Sequence, residues 1–324
     1  MHVLLLNNPG AGAGRPVGTG ELRQLLERHG HTVRPLSTDD DGWRDAIREG
    51  SEDVVAVAGG DGTLREVLTA LAGSDAAVGV VATGTANNIA HSIGAPVDDP
   101  ASSVEGWHRA STLRFDVPSF RTDGGRHGPG SSRLVESLGG GVFAELLAVA
   151  EEREERVGED GGTEDGLRLL RRVLRSAVPQ AWEVVLDGRD LSGEYLAVEA
   201  MNIRRIGPNV ELAPDADPGD GLVDLVLVGE DDRATLAGHV DDLLRVGTPG
   251  EQVGAPELHV RRGRLVELRP PPGCHLHVDD EHWVAAPAPG GGSEHLALEV
   301  DGTALQLLVP GLSPPTAPAL PGRS

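Results

Sequence analysis

The sequence contains no lysine, a single cysteine (Cys274) and few aromatic residues, which make up 2% of its 324 residues. A lone cysteine excludes a disulfide within the chain, and together with the missing signal peptide it predicts a cytoplasmic protein. No apolar run approaches the roughly 18 residues that a membrane span requires, so any contact with a membrane is expected to be peripheral. Because aromatic residues are so few, the core must be built from aliphatic side chains.

Basic residues are also scarce, since 28 arginines stand against 51 acidic residues and give a net charge of −23. This charge would repel the phosphates of a nucleic acid, so we expect no nucleic-acid partner. The sequence leaves a homodimer open as an assembly.

The length and the hydrophobic periodicity predict two domains and a tail. In residues 1–112, aliphatic runs alternate with amphipathic stretches, as in an α/β domain with a parallel sheet. In residues 113–312, short runs with a period of two are separated by Gly, Asp and Pro, which predicts a mainly antiparallel domain with helices near 165–178 and 233–246. We leave open that its last segment packs back on the first domain. Residues 313–324 are rich in proline and are predicted to be a disordered tail.

The strongest local signal is the segment Gly59-Gly60-Asp61-Gly62-Thr63, which follows a predicted buried strand and leads into a helix. Such a turn offers backbone N–H groups and the positive end of a helix dipole to an anion. Asp61 would repel a bare phosphate, so it indicates either Mg²⁺ between the two or a proton acceptor for an attacking hydroxyl. The alternative is a tight turn in which Asp61 only caps the helix.

Two further glycine-rich turns, residues 7–14 and 82–88, follow the first and fourth predicted strands. The carboxyl ends of parallel strands lie at one edge of a sheet, so the three turns are expected to meet around one ligand.

These turns, together with residues 202–207, residues 212–224 and the segment Val278-Asp279-Asp280-Glu281, resemble the diacylglycerol kinase catalytic domain family. That family includes bacterial lipid kinases and sphingosine kinases, and the resemblance covers about residues 1–310. It implies an ATP-binding α/β domain related to NAD kinases, joined to a β-sandwich substrate domain, with the active site in the cleft between them. The implied reaction transfers the γ-phosphoryl group of ATP, with Mg²⁺, to a hydroxyl group of a diacylglycerol-like or sphingoid-like lipid.

The resemblance also assigns roles to individual residues. Glu281 corresponds to the general base, for which Asp61 is a second candidate. Asp217, Asp220 and the backbone carbonyl of Leu222 correspond to a Mg²⁺ site, and their hard oxygen atoms suit that ion. The implied contacts with ATP are Asn8, Pro9, Gly10, Ala11, Gly12, Thr38, Gly59, Gly60, Asp61, Gly62, Thr63 and Thr85.

Besides Ala82, which stands where proline is common, two positions depart from the family pattern, with Asp280 where glycine is usual and Asn88 where aspartate is common. They keep open a catalytically silent, nucleotide-binding regulator as an alternative to the enzyme. A second alternative is an NAD kinase-like small-molecule kinase, since those enzymes share the Gly-Gly-Asp-Gly-Thr turn.

Overall fold

The computed structural model describes residues 1–10, 18–97, 99–105, 107, 110–123, 130–157, 162–246, 253–287 and 293–309. Ala11 and Gly12, both predicted to contact ATP, and the predicted tail 313–324 lie outside these residues. Within the described ranges, no helix is both long enough and apolar enough to cross a membrane.

Strands and helices alternate through the first part of the chain. In order they are β1 (His2–Asn7), α1 (Thr19–Arg28), β2 (Thr32–Ser37), α2 (Trp43–Arg48), β3 (Val54–Gly59), α3 (Asp61–Ala70), β4 (Ala77–Ala82), α4 (Asn88–Ser92), α5 (Pro100–Glu105) and β5 (Ser111–Asp116).

The remainder of the chain is richer in strands. In order its elements are β6 (Ser119–Thr122), β7 (Gly130–Arg133), β8 (Ser137–Gly141), α6 (Val142–Val157), α7 (Gly162–Ser176), β9 (Gln180–Leu186), β10 (Arg189–Asp190), β11 (Gly193–Tyr195), β12 (Ala197–Met201), β13 (Arg205–Ile206), β14 (Val210–Glu211), β15 (Val223–Val228), a 3-10 helix (Glu230–Asp232), α8 (Arg233–Val246), β16 (His259–Gly263), β17 (Leu265–Arg269), β18 (His275–Val278), β19 (Glu281–Val284), β20 (Leu296–Glu299) and β21 (Ala304–Val309).

The first sheet has the strand order β2-β1-β3-β4-β21-β5. Strands β1 to β4 run parallel because a helix after each strand returns the chain to the same edge. β21 comes from the far end of the sequence and pairs parallel with β4 and antiparallel with β5. The α/β class predicted for the first part of the chain is therefore confirmed, and the predicted boundary at residue 112 falls within β5.

Both faces of the first sheet are covered, which explains why its strands are continuous aliphatic runs. Along β1, Leu4 and Leu6 face a core shared with α2, α3 and α4. Val3 and Leu5 face the opposite core, which contains α1 and Trp107. The loops at the carboxyl ends of the strands stay at the edge of the sheet, where the predicted site lies.

Two antiparallel sheets pack face to face in the second part of the chain, confirming the predicted β-sandwich. The second sheet has the order β10-β9-β17-β20-β6-β7, with β11 also pairing with β9, and the third has the order β16-β15-β12-β8-β18-β19. Their shared core includes Trp182, Leu138 and Leu276. The other face of the third sheet lies under α6, α7 and α8.

Predicted and observed elements of the sandwich differ in several places. No helix is predicted over residues 142–157, where the structure has α6, and the helix predicted near 165–178 lies at Gly162–Ser176. The period of two in Tyr195 to Met201 predicts one strand, but Leu196 separates β11 from β12. The same pattern predicts a strand at Glu257 to Val260, which lies slightly later, at His259–Gly263.

Candidate active site

The three glycine-rich turns meet at one edge of the first sheet. The Asn8 amide nitrogen donates to the Thr63 hydroxyl at 2.7 Å, and the backbone N–H of Asn8 donates to the carbonyl of Ala58 at 2.9 Å. The N–H of Thr83 donates to the carbonyl of Gly59 at 3.0 Å. These bonds join the turns after β1, β3 and β4.

Glycine is required at two positions of these turns because neighbouring atoms leave no room for a side chain. A Cβ at Gly84 would lie 2.4 Å from the Cα of Gly60, in the next turn. A Cβ at Gly59 would lie 2.6 Å from the Cβ of Thr63, in its own turn. Both distances are far below a van der Waals contact, so a side chain at residue 84 would push the turns after β3 and β4 apart, and one at residue 59 would displace Thr63.

The other predicted ATP contacts that the structure describes lie around the same edge. Thr38 follows β2, and its N–H donates to the carbonyl of Asn7 at 3.0 Å. Asn8 holds the next turn through its side-chain oxygen, which accepts the N–H of Gly10 at 2.9 Å. Thr85 is exposed between β4 and α4. The geometry thus gathers the residues that the sequence grouped, while their role in binding ATP stays a prediction.

Asp61 begins α3, but its carboxylate caps the following helix. Its two oxygen atoms accept the N–H groups of Asn88 at 2.9 Å and Ile89 at 3.0 Å, at the start of α4. Burial raises the pKa of Asp61, and these N–H bonds and the charge of Arg65 act in the opposite direction. The side chain therefore links α3 to α4 and also presents a carboxylate to the adjoining cavity.

A cavity of about 190 Å³ lies between the two domains beside Asp61. Its polar end has the carboxylates of Asp61, Glu136, Asp279 and Asp280 with Arg65, and its apolar wall has Phe143, Leu146, Leu147 and Ile206. The apolar wall comes largely from α6, the helix that the sequence did not predict. The cavity can hold an amphipathic molecule with a polar group against the carboxylates.

Hydrogen bonds across the domain junction hold the cavity together. The Asn88 amide nitrogen donates to the carbonyl of Gly207 at 2.9 Å, and the Asn209 amide nitrogen donates to the carbonyl of Ala86 at 2.7 Å. Asn88, a departure from the family pattern, therefore has a structural role at the junction.

The turn between β18 and β19 is tied to the cavity by Asp279, which has a left-handed φ of 51°. The Asp279 carboxylate accepts the N–H groups of Glu136 at 2.7 Å, Ser137 at 3.2 Å and Val135 at 3.3 Å. Burial raises the pKa of Asp279 to about 6, although Arg65 and the three N–H groups oppose the rise. The neighbouring Asp280 forms an ion pair with Arg65.

Glu136 belongs to the site, and the sequence analysis missed it. Burial raises its pKa well above the ordinary value, and the nearby carboxylates of Asp61 and Asp279 raise it further. The available signal was an acidic residue between Leu134-Val135 and Leu138, in a short segment that would otherwise suit a buried strand.

Glu281 lies on the other side of Arg65. It is exposed at the start of β19 and lines a second cavity, of about 340 Å³, with Arg44, Arg48, Arg65 and Arg133. Arg65 lines both cavities and so forms the wall between them. The structure thus places the two predicted candidates for the base, Asp61 and Glu281, along different cavities.

The predicted metal residues form one exposed loop. One carboxylate oxygen of Asp217 accepts the N–H of Gly219 at 2.9 Å, and one of Asp220 accepts the N–H of Leu222 at 2.9 Å. In the described ranges, no group of three or more His, Cys, Asp or Glu side chains is arranged to hold a metal ion. Two carboxylates, a carbonyl and water would still fit a hard cation in this loop.

Comparison with known sequences matches both parts of the chain. The sequence model of the diacylglycerol kinase catalytic domain matches residues 2–120, and that of the YegS C-terminal NAD kinase beta sandwich-like domain matches residues 166–309. The chain is 26% identical to a diacylglycerol kinase from Mycobacterium tuberculosis, over 88% of this chain and 90% of that protein. It is 30% identical to a protein from Pseudomonas fluorescens named probable lipid kinase YegS-like, over 74% and 73% of the two.

A solved structure has the same fold. The crystal structure of a diacylglycerol kinase from Bacillus anthracis superposes with a TM-score of 0.62. The superposition covers 94% of this chain and 96% of the other, at 15% sequence identity.

Proposed function

The chain belongs to the diacylglycerol kinase catalytic domain family, and we propose that it transfers the γ-phosphoryl group of ATP to a hydroxyl group of a diacylglycerol-like or sphingoid-like lipid. The observation that carries this proposal is the cavity beside Asp61. It offers carboxylates to a hydroxyl group and an aliphatic wall to a hydrocarbon chain, and it adjoins the converging glycine turns.

We place the triphosphate at the turns after β1, β3 and β4. The N–H groups in the first turn of α3, which have no acceptor within the helix, suit phosphate oxygens, and the missing glycine side chains allow close approach. Mg²⁺ bound to the triphosphate would supply neutralisation of the charge that develops during transfer. Arg65 can add a fixed positive charge at the wall between the two cavities.

The acceptor must lose its hydroxyl proton, and a carboxylate of raised pKa is a suitable acceptor near neutral pH. Asp61 meets this condition and lines the same cavity as the apolar wall. Glu281, which the family resemblance favours, would act from the arginine-lined cavity. We therefore propose Asp61 as the proton acceptor for a lipid in the first cavity and retain Glu281 as the competing assignment.

The test measures ADP release with MgATP and diacylglycerol or a sphingoid base in mixed micelles. Asp61→Asn is expected to lower kcat by at least about 100-fold. Asp231→Asn, at the exposed surface of the sandwich, is the matched control and should leave kcat unchanged. Lipid-dependent activity that is lost in Glu281→Gln but kept in Asp61→Asn would reassign the base.

The same assay separates the alternative functions. Phosphorylation of NAD in place of lipid would indicate the small-molecule kinase. ATP binding without turnover over a panel of lipids would indicate the silent regulator. Lipid turnover above the Asp61→Asn background excludes the silent regulator.

We also propose that contact with a membrane is peripheral and occurs through the end of α7. Arg172 and Arg175 are exposed there, beside Val178, which is 73% exposed. Elsewhere on the helix Arg168 pairs with Glu164 and Arg171 with Asp241, so only the end of the basic face is available to anionic headgroups. Flotation with anionic vesicles should weaken in Arg172→Gln/Arg175→Gln, and equal flotation of the two proteins would count against this surface.

A further inference from the structure

Three strands of the third sheet bring a glutamate and a histidine together across a glycine. In the register of the sheet, Gly139 of β8 lies opposite Glu199 of β12 on one side and His277 of β18 on the other. The Glu199 Oε2 and His277 Nε2 atoms are 2.8 Å apart. A Cβ at Gly139 would lie 2.2 Å from that Glu199 oxygen, so the two side chains can meet only because residue 139 has no side chain.

The pair is enclosed beneath α6, on the face of the third sheet that the helices cover. The side chains of Glu199 and His277 are 0% and 1% exposed. The second Glu199 oxygen, Oε1, is buried and has no hydrogen-bond partner. A bare carboxylate in such a place is strongly disfavoured, so the pair must retain a proton.

The second ring nitrogen of His277 fixes where the protons lie. Nδ1 is 3.0 Å from the backbone carbonyl of Asp279. A carbonyl can only accept, so Nδ1 carries a hydrogen and donates it. Nε2 then faces the Glu199 carboxyl with one further proton between them, either on the imidazole or on the acid.

We propose that Glu199 and His277 are positioning residues, which share a buried proton and hold the Asp279 turn at the edge of the active-site cavity. His277 lines that cavity and bonds the Asp279 carbonyl, while the Asp279 carboxylate holds the N–H groups that precede β8. Loss of the shared proton would leave two acceptors facing each other and loosen the turn. This inference rests on the proposed kinase function for its effect on turnover, but the proton itself can be detected without substrate.

Other titratable groups surround the pair. Asp279 follows β18, Glu136 precedes β8, Glu145 is on α6, Cys274 precedes β18 and Arg65 is on α3 across the cavity. The negative charge of Asp279 favours keeping the proton on His277. The charge of Arg65 faces Asp280, Asp279 and Glu136.

The pKa values of both partners agree with a retained proton. Burial raises the pKa of Glu199, with His277 acting against it. For His277, burial alone would lower the pKa, but the Glu199 carboxylate and the bond to Asp279 more than offset this and the pKa is raised. At high pH the pair is therefore expected to lose its proton, and the repulsion between Nε2 and the Glu199 carboxylate then strains the ring that holds the turn through Nδ1–H.

The dependence of kcat on pH should reveal the loss of the shared proton. In Glu199→Gln the amide can donate to the neutral His277 ring, so we expect kcat at pH 7 within about threefold of wild type and no loss specific to high pH. His277→Gln removes the bond to the Asp279 carbonyl, and we expect kcat to fall about tenfold with the KM for ATP unchanged. A wild-type decline at high pH that persists in Glu199→Gln would overturn the assignment.

Side-chain ¹⁵N NMR of histidine tests the pair without substrate, so it separates a failure of this inference from a failure of the proposed kinase function. His277 should show a protonated Nδ1 at every pH at which the protein is folded, and its Nε2 resonance should titrate at a pH above the ordinary range for histidine. Glu199→Gln should abolish that high-pH titration while leaving the Nδ1 proton in place. A His277 ring with an unprotonated Nδ1 would refute the pairing even if the enzyme phosphorylates lipid.

Discussion

Replacement of Asp279 by asparagine is expected to reduce activity without reducing stability at pH 8. Asparagine tolerates the left-handed φ of 51° and keeps an oxygen for the N–H groups of Glu136 and Ser137. What it removes is a negative charge at a half-buried position. The pKa of Asp279 rises from its ordinary value to about 6, and a rise of about two units corresponds to about 3 kcal/mol.

The sign of this effect follows from the direction of the shift. The folded pKa of Asp279 is raised, so its contribution to stability is complete below the unfolded value near 3.9 and is lost as pH rises through about 6. Asparagine does not ionise, so its contribution to stability does not fall with pH. It lacks the second oxygen that accepts the N–H of Val135, which costs about 1 kcal/mol. At pH 8 the variant should equal the wild type or exceed it by up to about 2 kcal/mol, and at pH 5 this advantage should shrink.

Urea unfolding at pH 5 and pH 8 measures the difference, and kcat in the micelle assay is expected to fall at least about tenfold. Asp187→Asn is the matched control, since Asp187 also has a left-handed φ, of 49°, and accepts the N–H of Leu265 at 2.9 Å, but is exposed. It should change stability by less than about 0.5 kcal/mol. A loss above about 1 kcal/mol at pH 8 in Asp279→Asn alone would refute the reasoning from burial.

Three further outcomes follow from the geometry. Gly84→Ala is expected to separate the turns after β3 and β4, which should cost about 1–3 kcal/mol of stability and weaken nucleotide binding in calorimetry. Gly20→Ala is the control, because a Cβ at Gly20 in α1 meets nothing within 4 Å and should stabilise the protein by about 0.5–1 kcal/mol. Equal effects of the two variants would contradict the close approach of the turns. A chelator is expected to lower the Tm of wild type by a few degrees but not that of Asp217→Asn, and an unchanged wild-type Tm would argue against a cation in that loop. Burial raises the pKa of Cys274 to about 12, so thiol reagents should label the protein only after unfolding, and rapid labelling of the native protein would show the site to be open.

The sequence could predict that the glycine-rich turns meet at one edge of the sheet, because the determinants of that edge are local. A buried strand, three glycines and the start of a helix lie within residues 54–70, and parallel topology brings the neighbouring turns to the same edge. Helix α8 is predicted with its observed bounds, Arg233–Val246, for the same reason.

The cavity beside Asp61 depends on contacts that no local pattern encodes. α6 follows three glycines and carries acidic residues through its second half, so its helical pattern is weak, yet it supplies most of the apolar wall. Glu136 lies beside Asp279 only because β8 pairs with β18. The Glu199–His277 pair forms only because β8 lies between β12 and β18. Such placements follow from strand order, which a single sequence does not reveal.

The position of β21 determines when the first sheet can be completed during synthesis of the chain. The gap between β4 and β5 stays open until residues 304–309 have been made, because that strand supplies the neighbour to both. Throughout synthesis of the sandwich, the edge of β4 has no partner and could recruit a strand from another nascent chain. The first sheet is therefore exposed to mispairing until β21 has been synthesised.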